Sequence, residues 1–163
     1  NHAGFLKAFE VLSREDPGLH WVIVGSKGWL YEGFFAALER SPARARVILP
    51  GYIEDEDLPM VYAGALACVF PSLGEGFGLP PLEAMGCGTP VASSDAFSLP
   101  EVGGNAARYF DPHRPQQMVE TLRPILADPD LRAEMRQLGL VQAARFSWRK
   151  AAEQTWDLYQ KLL

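Results

Sequence analysis

The sequence predicts an α/β domain, a parallel sheet with helices on both faces. Three observations carry that reading. Five short apolar runs bounded by turn residues, at 21–24, 47–49, 67–70, 91–93 and 107–110, have the length and composition of buried strands. The stretches between them carry helical periodicity. One junction, Pro71 to Glu83, passes from strand to helix through Gly74, Gly76 and Gly78.

In chain order, Phe5, Phe9 and Leu12 fall on one face of a helix expected over 3–15, and Trp21 to Val24 forms the next strand, ending at Gly25. Helices are expected near 29–40 and 55–64, on either side of the strand at Val47 to Leu49. After the strand at Ala67 to Phe70, the glycine loop leads into a helix over 80–86, with Pro80 at its first position, where the missing N–H costs nothing. Ser98-Leu99-Pro100-Glu101 has the form of a capping box, which assigns Glu101 to structure. A helix over 115–127 follows the last strand. Asp128-Pro129 opens another, with Leu131, Met135 and Leu138 at helical spacing, and Ser147 caps one that carries Ala152, Trp156, Tyr159 and Leu163. These stripes read as core, with Trp148 and Trp156 as packing anchors rather than sugar platforms.

Composition bounds the function. A chain of 163 residues fits one domain, 1–163, and a chain of this size buries ~70% of its unfolded surface. With 15 basic and 20 acidic residues the formal charge is −5, which argues against a nucleic acid or an anionic membrane surface as partner. Cys68 sits in a core strand and Cys87 at a helix end, so a reduced, cytoplasmic compartment is expected. His2, His20 and His113 lack metal-ligand spacing, and no apolar run reaches the ~20 residues of a membrane span.

The chemistry concentrates at the glycine junction. The backbone N–H groups of Gly76, Phe77, Gly78 and Leu79 precede a helix start, where free donors and the helix dipole favour an anion. A sugar pyrophosphate suits such a pocket. Glu75 and Glu83, with seven residues between them, would repel a phosphate and so are suited to accept hydrogen bonds from neutral hydroxyls. Such charge-assisted bonds contribute ~1.5–3 kcal/mol each. The plainer alternatives are a dipole-satisfying residue for Glu83 and a solvated loop charge for Glu75. The first is weakened because the capping partner three residues earlier is Pro80, which has no side-chain acceptor. The second competes with the tendency of loops to carry function.

Pro71-Ser72, Glu75-Gly76-Phe77-Gly78-Leu79-Pro80 and Gly88-Thr89-Pro90-Val91 together resemble the donor-binding half of the family-four retaining glycosyltransferases, which have the GT-B architecture. Val22 to Gly25, Val47 to Ile53, Leu58 to Tyr62, Leu99 to Val102 and Phe146 to Trp148 fall in that family's order, so the resemblance spans nearly the whole chain. It implies a Rossmann-like sheet, the C-terminal half of a GT-B fold, and a nucleotide-diphosphate sugar as partner, with no metal and no cofactor. It implies that Glu83 binds the ribose hydroxyls and that Glu75, the catalytic-site carboxylate, binds those of the transferred sugar. The Gly76 to Leu79 backbone would approach the sugar and diphosphate, Tyr52 and Ile53 the base, and Gly25 the nucleotide.

The same resemblance implies pieces outside this sequence. The chain opens at Asn1 with a helix already under way, as if cut from something longer. A first strand, a basic Arg/Lys pair for the diphosphate, and an N-terminal acceptor domain are expected before it. Lys27 is the one basic residue at a strand exit placed to contribute in their absence, and a solvated loop lysine is the favoured reading of it. The fragment alone is expected to be inactive and, through apolar surface on its last helix, prone to self-association. Gly28-Trp29-Leu30-Tyr31 and Tyr62-Ala63-Gly64-Ala65 resemble bacterial mannosyltransferases, which suggests GDP-mannose. Two other readings compete. A redox dinucleotide-binding protein lacks support because Gly74, Gly76 and Gly78 have the wrong spacing and run into Pro80-Pro81. A non-catalytic sugar-nucleotide-binding or scaffolding module keeps the same site without a partner domain.

Overall fold

A computed structural model describes every residue except Lys27, Trp29, Leu30, Tyr31 and Leu163. Among the described residues eight helices and five strands follow one another as α1 (His2–Glu15), β1 (Trp21–Val24), α2 (Glu32–Glu39), β2 (Val47–Gly51), α3 (Leu58–Gly64), β3 (Cys68–Phe70), α4 (Leu79–Gly86), β4 (Val91–Ser94), α5 (Leu99–Gly103), β5 (Ala107–Phe110), α6 (Pro115–Ala127), α7 (Pro129–Ala143) and α8 (Trp148–Leu162). Single 3-10 turns precede β2 and β5.

Every strand pair is parallel, as the alternation predicts, but the strands form two ladders. In one, β1 pairs with β2, Trp21 opposite Val47. In the other, β4 lies between β3 and β5, with Cys68 opposite Val91 and Val91 opposite Ala107. β2 runs two residues beyond its expected end and takes in Pro50, which an edge strand tolerates because one side of its backbone needs no partner. α3 starts at Leu58 rather than 55, with Pro59 in its first turn and Asp57 bonded back to Glu54 through main chain.

The main core lies under α1. Phe5, Leu6, Ala8, Phe9 and Leu12 bury one face of that helix against Met118, Val119, Leu122 and Ile125 of α6. Trp21 meets Phe5 edge-on at 4.8 Å, and Ile23, Ala67 and Val69 pack on the same cluster, so α1 covers both ladders. Burying each large side chain contributes ~1.5–3 kcal/mol. A second cluster, Ala84, Met85, Val91, Ala106 and Ala107, fills the opposite face of the three-stranded ladder.

The Asp128 carboxylate accepts from the amides of Asp130 and Leu131, and Ser147 Oγ accepts from the Lys150 amide, so both expected caps form. The stripe on α8 does not become core. No α8 residue is buried, and Trp148 and Trp156 are 79% and 60% exposed, because neither core cluster of the described residues reaches that helix. The packing-anchor expectation for these two tryptophans is therefore corrected. Among the described residues no helix is long and apolar enough to cross a membrane, and no group of His, Cys, Asp and Glu is placed to hold a metal ion.

Candidate functional site

The loop between β3 and α4 leaves the carboxyl end of β3 and reaches α4 through Gly78, whose φ of 111° is a left-handed conformation that glycine adopts without strain. α4 starts one residue earlier than expected. Leu79 takes the first position and Pro80 the second, still within the turn whose N–H groups have no intrahelical acceptor. The Gly76 and Gly78 amides have no protein acceptor among the described residues.

Glu75 is partly buried, and Ser72 Oγ donates to its Oε1 at 2.8 Å. Glu83, on α4, is exposed, and the Tyr62 hydroxyl of α3 donates to its Oε2 at 3.3 Å. Among the described residues neither carboxylate is in an ion pair. Each therefore keeps free acceptor capacity for a ligand hydroxyl. Burial, then the Cys68 and Glu83 charges, hold the Tyr62 phenol well above its usual range, so it stays a donor to Glu83. Burial, with Glu83 nearby, pushes the Cys68 thiol up to about 12. Cys87 is also raised, first by its surroundings' desolvation and then by Glu83. Both thiols are free and, with raised pKa values, poor nucleophiles.

A second segment braces the loop from beneath. Buried Ser94, the last residue of β4, donates to the Ser72 carbonyl at 2.6 Å. Ser98 Oγ reaches the Glu75 carbonyl at 2.9 Å and the Phe77 carbonyl at 2.8 Å. The capping box does not form: Ser98 makes no side-chain bond to α5, because its hydroxyl is committed to the loop. Phe97, between these serines, has a φ of 53°, and its ring lies where a Cβ on Gly74 would come within 2.9 Å. Close approach requires glycine there. Phe77 in turn stands edge-on to Phe146 at 5.8 Å.

Gly25 follows β1, and its amide donates to the Gly51 carbonyl at 2.9 Å, which joins the ends of β1 and β2. Tyr52 and Ile53 follow β2 directly, with Tyr52 exposed. Gly25, Tyr52, Ile53 and the loop from Glu75 to Gly78 thus follow the carboxyl ends of parallel strands, where open α/β sheets bind ligands, and Leu79 and Glu83 lie on the helix that continues that loop. Lys27, and the Trp29 to Tyr31 part of the segment behind the mannose expectation, lie outside the described residues. A cleft of about 760 Å³ lies elsewhere, between β5, α6 and α7, and none of these expected site residues lines it. Ser72, Ser94, Ser98 and Tyr62 escaped the sequence reading as contributors to the site. Of these, Ser72 carried a signal as part of the Pro-Ser pair before the glycines, and Tyr62 as part of the segments that carry the resemblance.

A parallel α/β unit with this loop and helix start has the architecture of the C-terminal half of a GT-B glycosyltransferase. Comparison with known proteins makes the assignment specific. The chain belongs to the glycosyl transferases group 1 family, whose model matches residues 1–161. O-antigen chain mannosyltransferase B of Escherichia coli is 39% identical over 163 residues, which cover 99% of this chain and 43% of that protein. Serotype-specific mannosyltransferase WbdA of Escherichia coli is 40% identical over 121 residues, 74% of this chain and 15% of its own length. The chain thus spans less than half of these relatives. Among solved structures, sucrose-phosphate synthase from Thermosynechococcus elongatus superposes with a TM-score of 0.85 at 26% identity, over 99% of this chain and 43% of that one. The C-terminal domain of the group 1 protein LpcC from Francisella tularensis gives 0.77 at 27% identity, over 88% and 77%.

Proposed function

We propose that this chain is the donor-binding half of a retaining glycosyltransferase that moves mannose from GDP-mannose to an acceptor. The observation that carries the reading is the pair of carboxylates, Glu75 and Glu83, flanking a loop whose Gly76 and Gly78 amides lack protein acceptors. Glu83 accepts from the ribose hydroxyls and Glu75 from those of the transferred sugar, while the loop amides and the start of α4 face the diphosphate. Tyr52 and Ile53 meet the base through main chain, and Gly25 lets the nucleotide approach. In the transfer the anomeric carbon–oxygen bond to the diphosphate breaks and a bond to the acceptor oxygen forms with the configuration kept. The acceptor hydroxyl gives up its proton to solvent, and the nucleoside diphosphate leaves with the electron pair of the broken bond and the negative charge. Holding that leaving group and orienting the sugar is this chain's part in catalysis. The names of the relatives above support mannose.

The split sheet supports the further reading that the donor domain is larger than this sequence. β1 and β3 each have one unpaired edge, and α1 packs on residues of both. Asn1 Nδ2 donates to the Pro112 carbonyl at 2.9 Å, so α1 starts beside the carboxyl end of β5. Arg46, just before β2, bonds the Ser13 carbonyl near the other end of α1. A strand entering α1 from that side, parallel to β1 and β3 and lying between them, completes one sheet with a right-handed crossover. The basic pair and the acceptor domain belong to the same longer enzyme, which works in the cytoplasm, and the fragment alone is inactive.

Calorimetric titration of the chain with GDP tests the site. Weak binding is expected, and Glu83→Ala is expected to weaken it about tenfold or more, the loss of a charge-assisted pair of hydrogen bonds. Equal affinity in both proteins would remove Glu83 from the ribose.

A further inference from the structure

We propose that Ser98 is a positioning residue that aims the loop amides at the donor diphosphate, a role that rests on the donor-site reading above. One hydroxyl stands within hydrogen-bonding distance of two loop carbonyls, Glu75 at 2.9 Å and Phe77 at 2.8 Å. A hydroxyl has one proton, so the two carbonyls share it, and both must face Ser98. No cis peptide occurs among the described residues. In a trans peptide the carbonyl and the next residue's N–H point in opposite directions. The amides that share those two planes belong to Gly76 and Gly78, and both therefore point away from Ser98. Among the described residues neither amide has a protein acceptor, and neither do those of Phe77 and Leu79. A single side chain thus fixes the direction of two donors in the glycine segment.

The surrounding structure fixes Ser98 for this task. The segment from Ser94 to Ser98 crosses under the loop, held at its start by the bond from Ser94 to the Ser72 carbonyl. Phe97 adopts a left-handed backbone that a bulky residue rarely takes, and its ring stands against Gly74. That conformation brings the chain into α5 with Ser98 below Glu75 and Phe77. The hydroxyl is absent from the cap of its own helix, where serine ordinarily acts. Glu75 is held by the same device from the other side, through Ser72.

The role makes a distinction that a general contribution to folding does not. Preorganised amides matter for the diphosphate and not for the nucleoside. Calorimetry with GDP, UDP and ADP, each beside its own nucleoside, reads that difference as a ratio of affinities in this chain. Ser98→Ala is expected to weaken diphosphate binding roughly fivefold to tenfold, the effect of one hydrogen bond, while nucleoside binding stays within about twofold. Ser98→Thr keeps the hydroxyl and is expected to keep the ratio. If Ser98→Ala does not fold, Ser98→Cys preserves volume with a weaker donor and is expected to lower the ratio in the same direction. A variant that weakens both ligands equally, or that leaves the ratio at its wild-type value, overturns the proposal while the donor site stands. Failure of the wild-type chain to bind any of the diphosphates overturns the donor-site reading, and this role with it.

Discussion

The two ladders of this domain are built from the same kind of strand and end in different states. β4 has a neighbour on each side and is buried throughout, and the loop beyond β3 is fastened by side chains of Ser72, Ser94 and Ser98. β1 and β2 have only each other. Val22 and Ile48 are 45% and 46% exposed, and their loops are joined through main chain, Gly25 to Gly51. Parallel strands are ordinarily covered on both faces, and the exposed valine and isoleucine depart from that rule. The part of the candidate site that holds Glu75 and Glu83 is thus fastened by side chains, whereas among the described residues the part at Gly25, Tyr52 and Ile53 is joined through main chain alone.

The largest test of that contrast is packing. Met85, from the buried face of α4, fits against Val91, Ala107 and the face of Gly139, and Met85→Ala is expected to cost ~2–5 kcal/mol by lost burial and a cavity. Val22→Ala in β1 is expected to cost less than ~1 kcal/mol, because its side chain is already half in water. Urea denaturation of both variants measures the two values. Equal losses would mean that the two ladders are equally complete.

A smaller effect appears at high pH and belongs only to the braced half. In the folded chain Cys68 titrates at about 12 against an ordinary 9, and Tyr62 is shifted in the same direction, both chiefly by burial. The unfolded chain then gives up these protons first and binds fewer of them, so stability falls as pH rises. The contribution is fully present below about 9 and is lost progressively toward 12. Cys68→Ala is expected to flatten the fall in melting temperature between these limits, measured by scanning calorimetry. An unchanged slope would mean that the Cys68 thiol reaches water in the folded chain.

The same contrast explains what was legible in the sequence. β1 to β5 could be read because each apolar run is short and closed by turn residues, and Glu75 and Glu83 stand out as candidates because charge beside glycines at a helix start has few structural uses. Ser98 was misread for a physical reason. A capping box is a local pattern, and here the serine spends its hydroxyl on carbonyls 21 and 23 residues earlier in the chain, which no local pattern encodes. Tyr62 reaches Glu83 across the α3 and α4 pair in the same way. The division into two ladders was illegible too, since alternation fixes direction and not which strands are neighbours. On α8 the helical period was correct and the expectation of burial was not. Periodicity specifies a face, and the partner of that face must come from tertiary structure.

That helix gives the smallest expected change in stability and the sharpest limit on the comparison. Trp148, Trp156, Tyr159 and Leu162 all stand more than half exposed, and none of them contributes to either core cluster. Replacing Trp156 with serine is expected to leave the unfolding free energy within ~0.5 kcal/mol, as for a surface site. Concentration-dependent association is where the substitution is expected to act, because the apolar area that Trp148, Trp156, Tyr159 and Leu162 expose along α8 can be covered by a second copy, against the mutual repulsion of chains of net charge −5. Sedimentation velocity at rising concentration reads this directly, with Trp156→Ser shifted toward monomer. A loss of stability above ~1 kcal/mol with unchanged sedimentation would instead place α8 against the body of its own chain. The exposed valine and isoleucine of β1 and β2 would then be the larger open surface of the domain.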